Sequence, residues 1–296
     1  MHPLAEKMLQ HLRTCLAGCL LLLCCWLVAA PGVAAAAGGP LRPGSGWLVQ
    51  DGSYPGHLWK TPVRVLLTGD SLMQSLGPQM RDSLAGYSNI TFIPIGKKST
   101  GLSRPDFYDW PAVLKQHLVA DRPHLVIMWV GTNDPQGIHG YKGLGEPCSE
   151  AWQQVYRSKL REVVSLAHTH GARFMLMGPP VVGDPTLNAQ LGIIDRLMQL
   201  ECRSMGICYI STRYILGGES GIFHPQGRLL SGELVTLRST DRVHITADGN
   251  RRVMDYLLPY IAREIERCFR APSSSSRAAA RRMSGSATII RPKKSD

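Results

Sequence analysis

Five short apolar runs, each followed by a longer stretch of helical periodicity, constrain this chain more than any other feature. The runs occupy residues 63–68, 90–95, 125–130, 173–177 and 207–210. They are predominantly apolar and bounded by Gly, Pro or Asp, as expected of strands buried on both faces. Residues 72–84, 110–119, 151–170, 187–205 and 247–269 carry apolar residues at helical spacing instead. Pro259, inside the last of these, is expected to kink or divide its helix. Such alternation predicts an α/β fold, a parallel five-stranded sheet with helices on both faces. In such sheets ligands bind beyond the carboxyl ends of the strands. The first run ends in Gly69-Asp70-Ser71, the second leads into Ser99-Thr100-Gly101, and the third ends in Gly131-Thr132-Asn133-Asp134. Three polar, glycine-bearing turns are thus expected on one rim.

The ends of the chain read differently from its middle. Lys7 and Arg13 precede an uncharged stretch, residues 15–37, that holds four consecutive leucines and closes on small residues. A basic segment, an apolar segment and an A-x-A-like pattern together read as a secretory signal. At 23 residues, the stretch is also long enough for an uncleaved membrane anchor, since about 20 residues span a bilayer. Residues 1–37 are therefore expected to direct export, and 47–270 to form one domain of ordinary single-core size. Residues 271–296 are rich in Ser, Ala and Arg with few large apolar side chains, a composition too poor in burial to order its backbone. Arg277, Arg281, Arg282, Arg291, Lys293 and Lys294 against Asp296 give that tail +5 of the chain's formal +11. Attraction to an anionic membrane surface or acidic wall polymer is one reading of the tail, and a merely solvated segment is the other. An exported protein seldom meets nucleic acid, so the basic balance is not read as nucleic-acid binding.

Four cysteines fall in the central segment: Cys148, Cys202, Cys208 and Cys268. They form no C-x-x-C pair and have no histidines at zinc-finger spacing, so no metal site is expected. In an oxidising compartment one disulfide is expected, with Cys202 and Cys208 the nearest pair in sequence.

Chemistry is carried by three elements. Ser71 follows a strand and a Gly-Asp turn and opens a helix, where its N–H lies at the positive helix end; Ser and Asp serve equally as plain N-caps there. A serine hydroxyl needs a general base near neutral pH. Asp241-Arg242-Val243-His244 offers an imidazole with a carboxylate three residues earlier, able to hold Nδ1–H and leave Nε2 for the serine. Acyl transfer at serine also needs donors for the developing oxyanion. Asn133 has a side-chain amide to give, and Gly101 and Ser71 have backbone N–H groups. Asn133-Asp134-Pro135 also suits an ordinary turn, and Gly96 lies near Gly101.

Gly69-Asp70-Ser71-Leu72, Gly101, Gly131-Thr132-Asn133-Asp134 and Asp241-Arg242-Val243-His244 resemble, in order, the four sequence blocks of the SGNH/GDSL hydrolase superfamily. The resemblance implies a flavodoxin-like three-layer α/β/α sandwich with sheet order 2-1-3-4-5. It implies Ser71 as nucleophile, Asp241 and His244 as its triad partners, and Gly101 and Asn133 as oxyanion donors, without metal or organic cofactor. Residues 98–111 and 237–241 are similar to stretches of a bacterial periplasmic branch of unknown function. Related exported members act on O-acyl groups of cell-envelope glycans, some beside membrane-bound O-acyltransferases. The expectation is therefore an extracytoplasmic serine esterase or acyltransferase, periplasmic or anchored at the inner membrane. A lipase or thioesterase with the same triad, and a non-catalytic envelope binding protein assisting a membrane O-acyltransferase, are the alternatives. Residues 135–150 and 217–240 are expected to overhang the site as loops, the second with a small hairpin around Gly232. Lys97, Lys98 and Arg104 near Gly101 are candidates for holding an anionic substrate.

Overall fold

A computed structural model describes residues 62–269, apart from 86–88 and 219. The expected leader at 1–37 and tail at 271–296 lie outside the described residues. The element order is β1 (Val63–Gly69), α1 (Ser71–Ser83), β2 (Ile90–Pro94), α2 (Trp110–Ala120), β3 (Leu125–Trp129), α3 (Glu150–Thr169), β4 (Arg173–Met177), α4 (Pro185–Met205), β5 (Cys208–Ile210), α5 (Thr212–Gly217), β6 (Gln226–Arg228), β7 (Leu234–Thr236) and α6 (Ala247–Phe269). The five apolar runs form one parallel sheet in the order β2-β1-β3-β4-β5. This is the expected three-layer α/β/α fold.

Each strand feeds two cores because successive side chains point to opposite faces. On β3, Leu125, Ile127 and Trp129 join α1 and α6, packing with Leu72, Leu76, Val253 and Leu257. Val126 and Met128 face the other way into a core built by α2, α3 and α4, with Trp110, Trp152, Tyr156 and Ile194. Burial on both faces explains why β3, Leu125–Trp129, is apolar throughout rather than alternating.

Helix starts follow the sequence's capping signals. Asp70, Asp109, Ser149 and Asp184 each accept a hydrogen bond from a first-turn backbone N–H. Thr246 does the same for the Gly249 N–H at 3.0 Å. Two expectations require correction. The last helix runs through Pro259 without division. Val253, Leu257, Ile261 and Ile265 stay buried along one side of it, so tertiary packing outweighs the rung that proline removes. Cys202 and Cys208 are not bridged, and all four described cysteines are free thiols. Cys202 is part of the core on one face of the sheet, whereas Cys208 packs against the core on the other. Burial raises the Cys208 thiol to about 12, which leaves it protonated and inert.

Among the described residues no helix is long and apolar enough to cross a membrane. The hairpin expected around Gly232 is present, with β6 and β7 antiparallel from Gln226↔Thr236 to Arg228↔Leu234.

Candidate active site

The carboxyl ends of β1 and β3 meet where Gly69 pairs with Trp129. The Asp70 N–H donates to Trp129 O at 2.9 Å, and the Lys97 N–H donates to Gly69 O at 2.8 Å, so the Gly69-Asp70-Ser71 turn is tied to the end of β3 and to the segment after β2. Ser71 opens α1 at this rim. Its helix start is fixed from behind by Asp70, whose Oδ1 accepts from the Leu72 N–H at 2.9 Å.

The other two triad candidates arrive from the far end of the chain. His244 Nε2 lies 2.9 Å from Ser71 Oγ, across 173 residues of sequence. His244 Nδ1 lies 2.5 Å from Asp241 Oδ2. Asp241 Oδ1 accepts from the backbone N–H groups of Val243 and His244, each at 2.9 Å. Partial burial pushes the Asp241 carboxyl up. The His244 hydrogen bond and those two N–H groups outweigh it and hold the carboxyl at about 2. Asp241 is thus an anion throughout the physiological range. It selects the tautomer with hydrogen on Nδ1 and a lone pair on Nε2 facing the serine.

Asn133 Nδ2 donates to Thr100 O at 2.9 Å. That carbonyl belongs to the peptide whose N–H is Gly101's, so Asn133 fixes the plane and direction of the Gly101 N–H. Glycine is required at 101 because a Cβ there would lie 2.3 Å from Asp134 Oδ1. Gly96 has a separate reason: its Cβ would meet the Gln74 backbone of α1, also at 2.3 Å.

Behind this rim stand two buried carboxyls whose role is not evident from the sequence. Asp134 Oδ1 accepts from the Ser103 N–H at 2.8 Å and Oδ2 from the Tyr156 hydroxyl at 2.6 Å. It clamps the Gly101–Ser103 segment onto the Asn133 turn. Asp70 is fully buried; desolvation raises its carboxyl to about 7, with the Leu72 N–H opposing and Asp134 reinforcing the rise. Asp134 is raised in the same direction, also by burial. An unfolded aspartate loses its proton near about pH 4. Between there and about 7, folded Asp70 holds the extra proton, so its contribution to stability falls as pH rises and is flat above. Asp70→Asn keeps an oxygen for the Leu72 N–H and removes the titration. The wild-type Tm, measured relative to Asp70→Asn, is expected to fall between about pH 4 and 7; a constant difference would exclude the elevated carboxyl.

The overhanging loops are pinned as well. His139 N donates to Ser103 O at 2.9 Å, and the Trp152 indole N–H donates to Gln136 O at 2.7 Å, holding the 135–150 loop on the rim. Of the three basic candidates near Gly101, Arg104 is engaged by Asp106 at 2.7 Å, while Lys97 and Lys98 are exposed.

The sheet order, with the Gly-Asp-Ser turn, the Asn turn and the Asp-x-x-His loop gathered at the carboxyl ends of its strands, is that of the SGNH/GDSL hydrolase fold. Within it, the chain belongs to the family described as "Protein of unknown function (DUF459)", which matches residues 64–260. No curated protein matches the chain. Two solved structures share the fold at low identity. A carbohydrate acetylesterase family member from Sinorhizobium meliloti is 17% identical over 69% of this chain and 99% of its own, with TM-score 0.50. A catalytic mutant of Axe2, an acetylxylan esterase from Geobacillus stearothermophilus, is 15% identical over 69% of this chain and 94% of its own, also at 0.50.

Proposed function

We propose that this protein is an exported serine esterase or acyltransferase that works through an acyl-Ser71 intermediate. The hydrogen-bonded line from Ser71 Oγ through the His244 imidazole to Asp241 carries this reading. As Ser71 Oγ bonds to the ester carbonyl carbon, His244 Nε2 takes its proton and the carbonyl electron pair moves onto oxygen. Asn133 Nδ2–H and the Ser71 and Gly101 N–H groups are the proposed donors to that oxygen. Collapse of the intermediate breaks the carbon–alkoxy bond. The leaving alcohol takes the proton from His244, and the acyl group stays on Ser71. Water, or a sugar hydroxyl, then attacks the acyl carbon and gives its proton to His244, and Ser71 leaves with that proton.

The proposed substrates are O-acyl, above all O-acetyl, groups on cell-envelope glycans. The polar cluster of Arg104, Asp106, Gln136 and His139 on the loops after β2 and β3 supports a hydroxyl-rich acceptor over a long acyl chain, although Phe107 and Tyr141 on those loops are exposed. Two proteins of the same fold are described as acting on acetylated carbohydrate, which sets the first substrates to try rather than the activity. The uncharged stretch at 15–37 supports an extracytoplasmic place for the enzyme. There a membrane O-acyltransferase is the proposed partner, and the basic tail a contact for the membrane surface.

The test is hydrolysis of aryl acetate, butyrate and octanoate by the purified protein beside Ser71→Ala. Ser71-dependent cleavage fastest on acetate is the expected result. Preference for octanoate would replace this reading with a lipase or thioesterase. No cleavage, together with no fluorophosphonate labelling of Ser71, would leave a binding module. Asn133→Ala is expected to lower kcat by about 10²–10³ with little change in KM. A rise in KM alone would remove Asn133 from the oxyanion site.

A further inference from the structure

Two of the three triad candidates sit on one short turn. Antiparallel bridging of Arg238 with Ile245 closes it. Inside, the Ser239 N–H donates to His244 O at 3.0 Å, and the Arg242 N–H donates to Ser239 O at 2.9 Å. At the tip, Arg242 adopts a left-handed backbone with φ of 61°, a conformation that is unfavourable for a side-chain-bearing residue unless its surroundings hold it. Such a turn needs fixing from outside.

Arg238 supplies that fixing from beneath. Its side chain is 3% exposed, and Nη2 donates to Val243 O at 2.7 Å. Val243 O belongs to the peptide that leads into His244, so holding it sets the plane from which the imidazole hangs. Arg238 Nε and Nη1 have no hydrogen-bond partner among the described residues. The guanidinium lies instead 5.4 Å from the centroid of the Phe223 ring. Arg242, at the tip, lies 5.1 Å from the same centroid. One ring from the 217–240 insertion thus meets a cation from the base of the turn and another from its tip. Attraction to the ring's electron-rich face offsets part of the repulsion between the two. Gly183 completes the mooring: its N–H donates to Arg242 O at 2.9 Å, and a Cβ there would meet Arg242 Nε at 2.3 Å. Burial lowers the Arg238 guanidinium to about 10, with the Asp241 charge opposing, so it stays a cation at neutral pH.

We propose that Arg238, placed over the Phe223 ring, is a positioning residue that fixes the Asp241–His244 turn against Ser71. This rests on the reading of Ser71 as nucleophile. Arginine suits the task because its planar fork can bond a carbonyl and face a ring at once. Neither lysine's point charge nor an apolar chain of similar length does both. Displacing a catalytic group by about 1 Å costs about 10²-fold in rate. Arg238 touches neither Ser71 nor the ester, so its loss acts on kcat and spares substrate binding.

The experiment compares Arg238→Met, Arg238→Lys, Phe223→Leu and Ser71→Ala in the full chain. Kinetics on aryl acetate are paired with the NMR resonance of the His244 Nδ1 proton. Arg238→Met is expected to lower kcat by about 10²-fold with KM within about twofold, and Arg238→Lys to restore about a tenth of the wild-type rate. The Nδ1 proton signal is expected to shift or broaden in Arg238→Met and to persist in Ser71→Ala. Wild-type kcat with an unchanged Nδ1 signal would overturn the proposal. So would a parallel loss of kcat, KM and Tm that lysine does not relieve. If Arg238→Met fails to fold, Phe223→Leu decides, since a kcat-only loss is required of it. Should Ser71→Ala retain full esterase activity, the nucleophile reading falls. The Nδ1 response to Arg238→Met still decides whether Arg238 holds the turn.

Discussion

His244→Ala is expected to lower kcat on aryl acetate by about 10⁶-fold, the scale on which loss of a general base stops a serine triad. Nε2 is 2.9 Å from the Ser71 hydroxyl, and without it a proton must leave an unactivated alcohol into water. On the proposed mechanism, what survives comes from the proposed oxyanion donors and substrate binding alone. Stability should hardly change. The His244 side chain is 46% exposed and fills no core space, so the change in unfolding free energy should stay within about 0.5 kcal/mol. The check is kcat beside a thermal melt of the same sample. Turnover within about tenfold of wild type would remove His244 from the mechanism.

Gly69→Ala is expected to act on the fold instead. Gly69 has φ of +141°, and a Cβ there would lie 2.0 Å from Trp129 O, 2.7 Å from Trp129 C and 2.9 Å from Trp129 N. Those atoms cannot retreat. Trp129 O accepts from the Asp70 N–H, and the Trp129 indole N–H is bonded to Gly178 O at 2.9 Å. A clash with backbone at the β1–β3 junction, added to an unfavourable φ, is expected to destabilise by about 4 kcal/mol or more. Denaturant titration should show a large drop in midpoint, or no soluble protein. Gly137→Ala is the control: nothing lies within 4 Å of its added Cβ, and an effect within about 0.5 kcal/mol is expected. Equal stability of Gly69→Ala and wild type would mean that the Gly69-Asp70-Ser71 turn is built differently.

Strand positions were legible because burial on both faces leaves an apolar run, as in residues 125–129 and 174–177. Helix positions were legible from apolar spacing, and the structure shows their starts fixed locally by Asp109, Ser149 and Asp184, each accepting from a first-turn N–H. The continuity of α6 through Pro259 was not legible, since the packing that overrides a proline comes from residues distant in sequence. The free state of Cys202 and Cys208 was hidden for a like reason. Only five residues lie between them in sequence, but the sheet assigns them to different cores.

The candidate site divides along the same line. By itself the sequence determined the chemistry available: a serine after Gly-Asp, an Asp three residues before a His, an Asn beside a turn. Residue type and local spacing suffice for that. Only the tertiary structure decided that His244 reaches Ser71 across 173 residues, that Asp134 clamps Gly101–Ser103, and that Arg238 and Arg242 share the ring of Phe223. Those relations depend on which strands lie side by side and which loops meet above them. Burial of the whole chain sets that arrangement, and no short stretch of sequence encodes it.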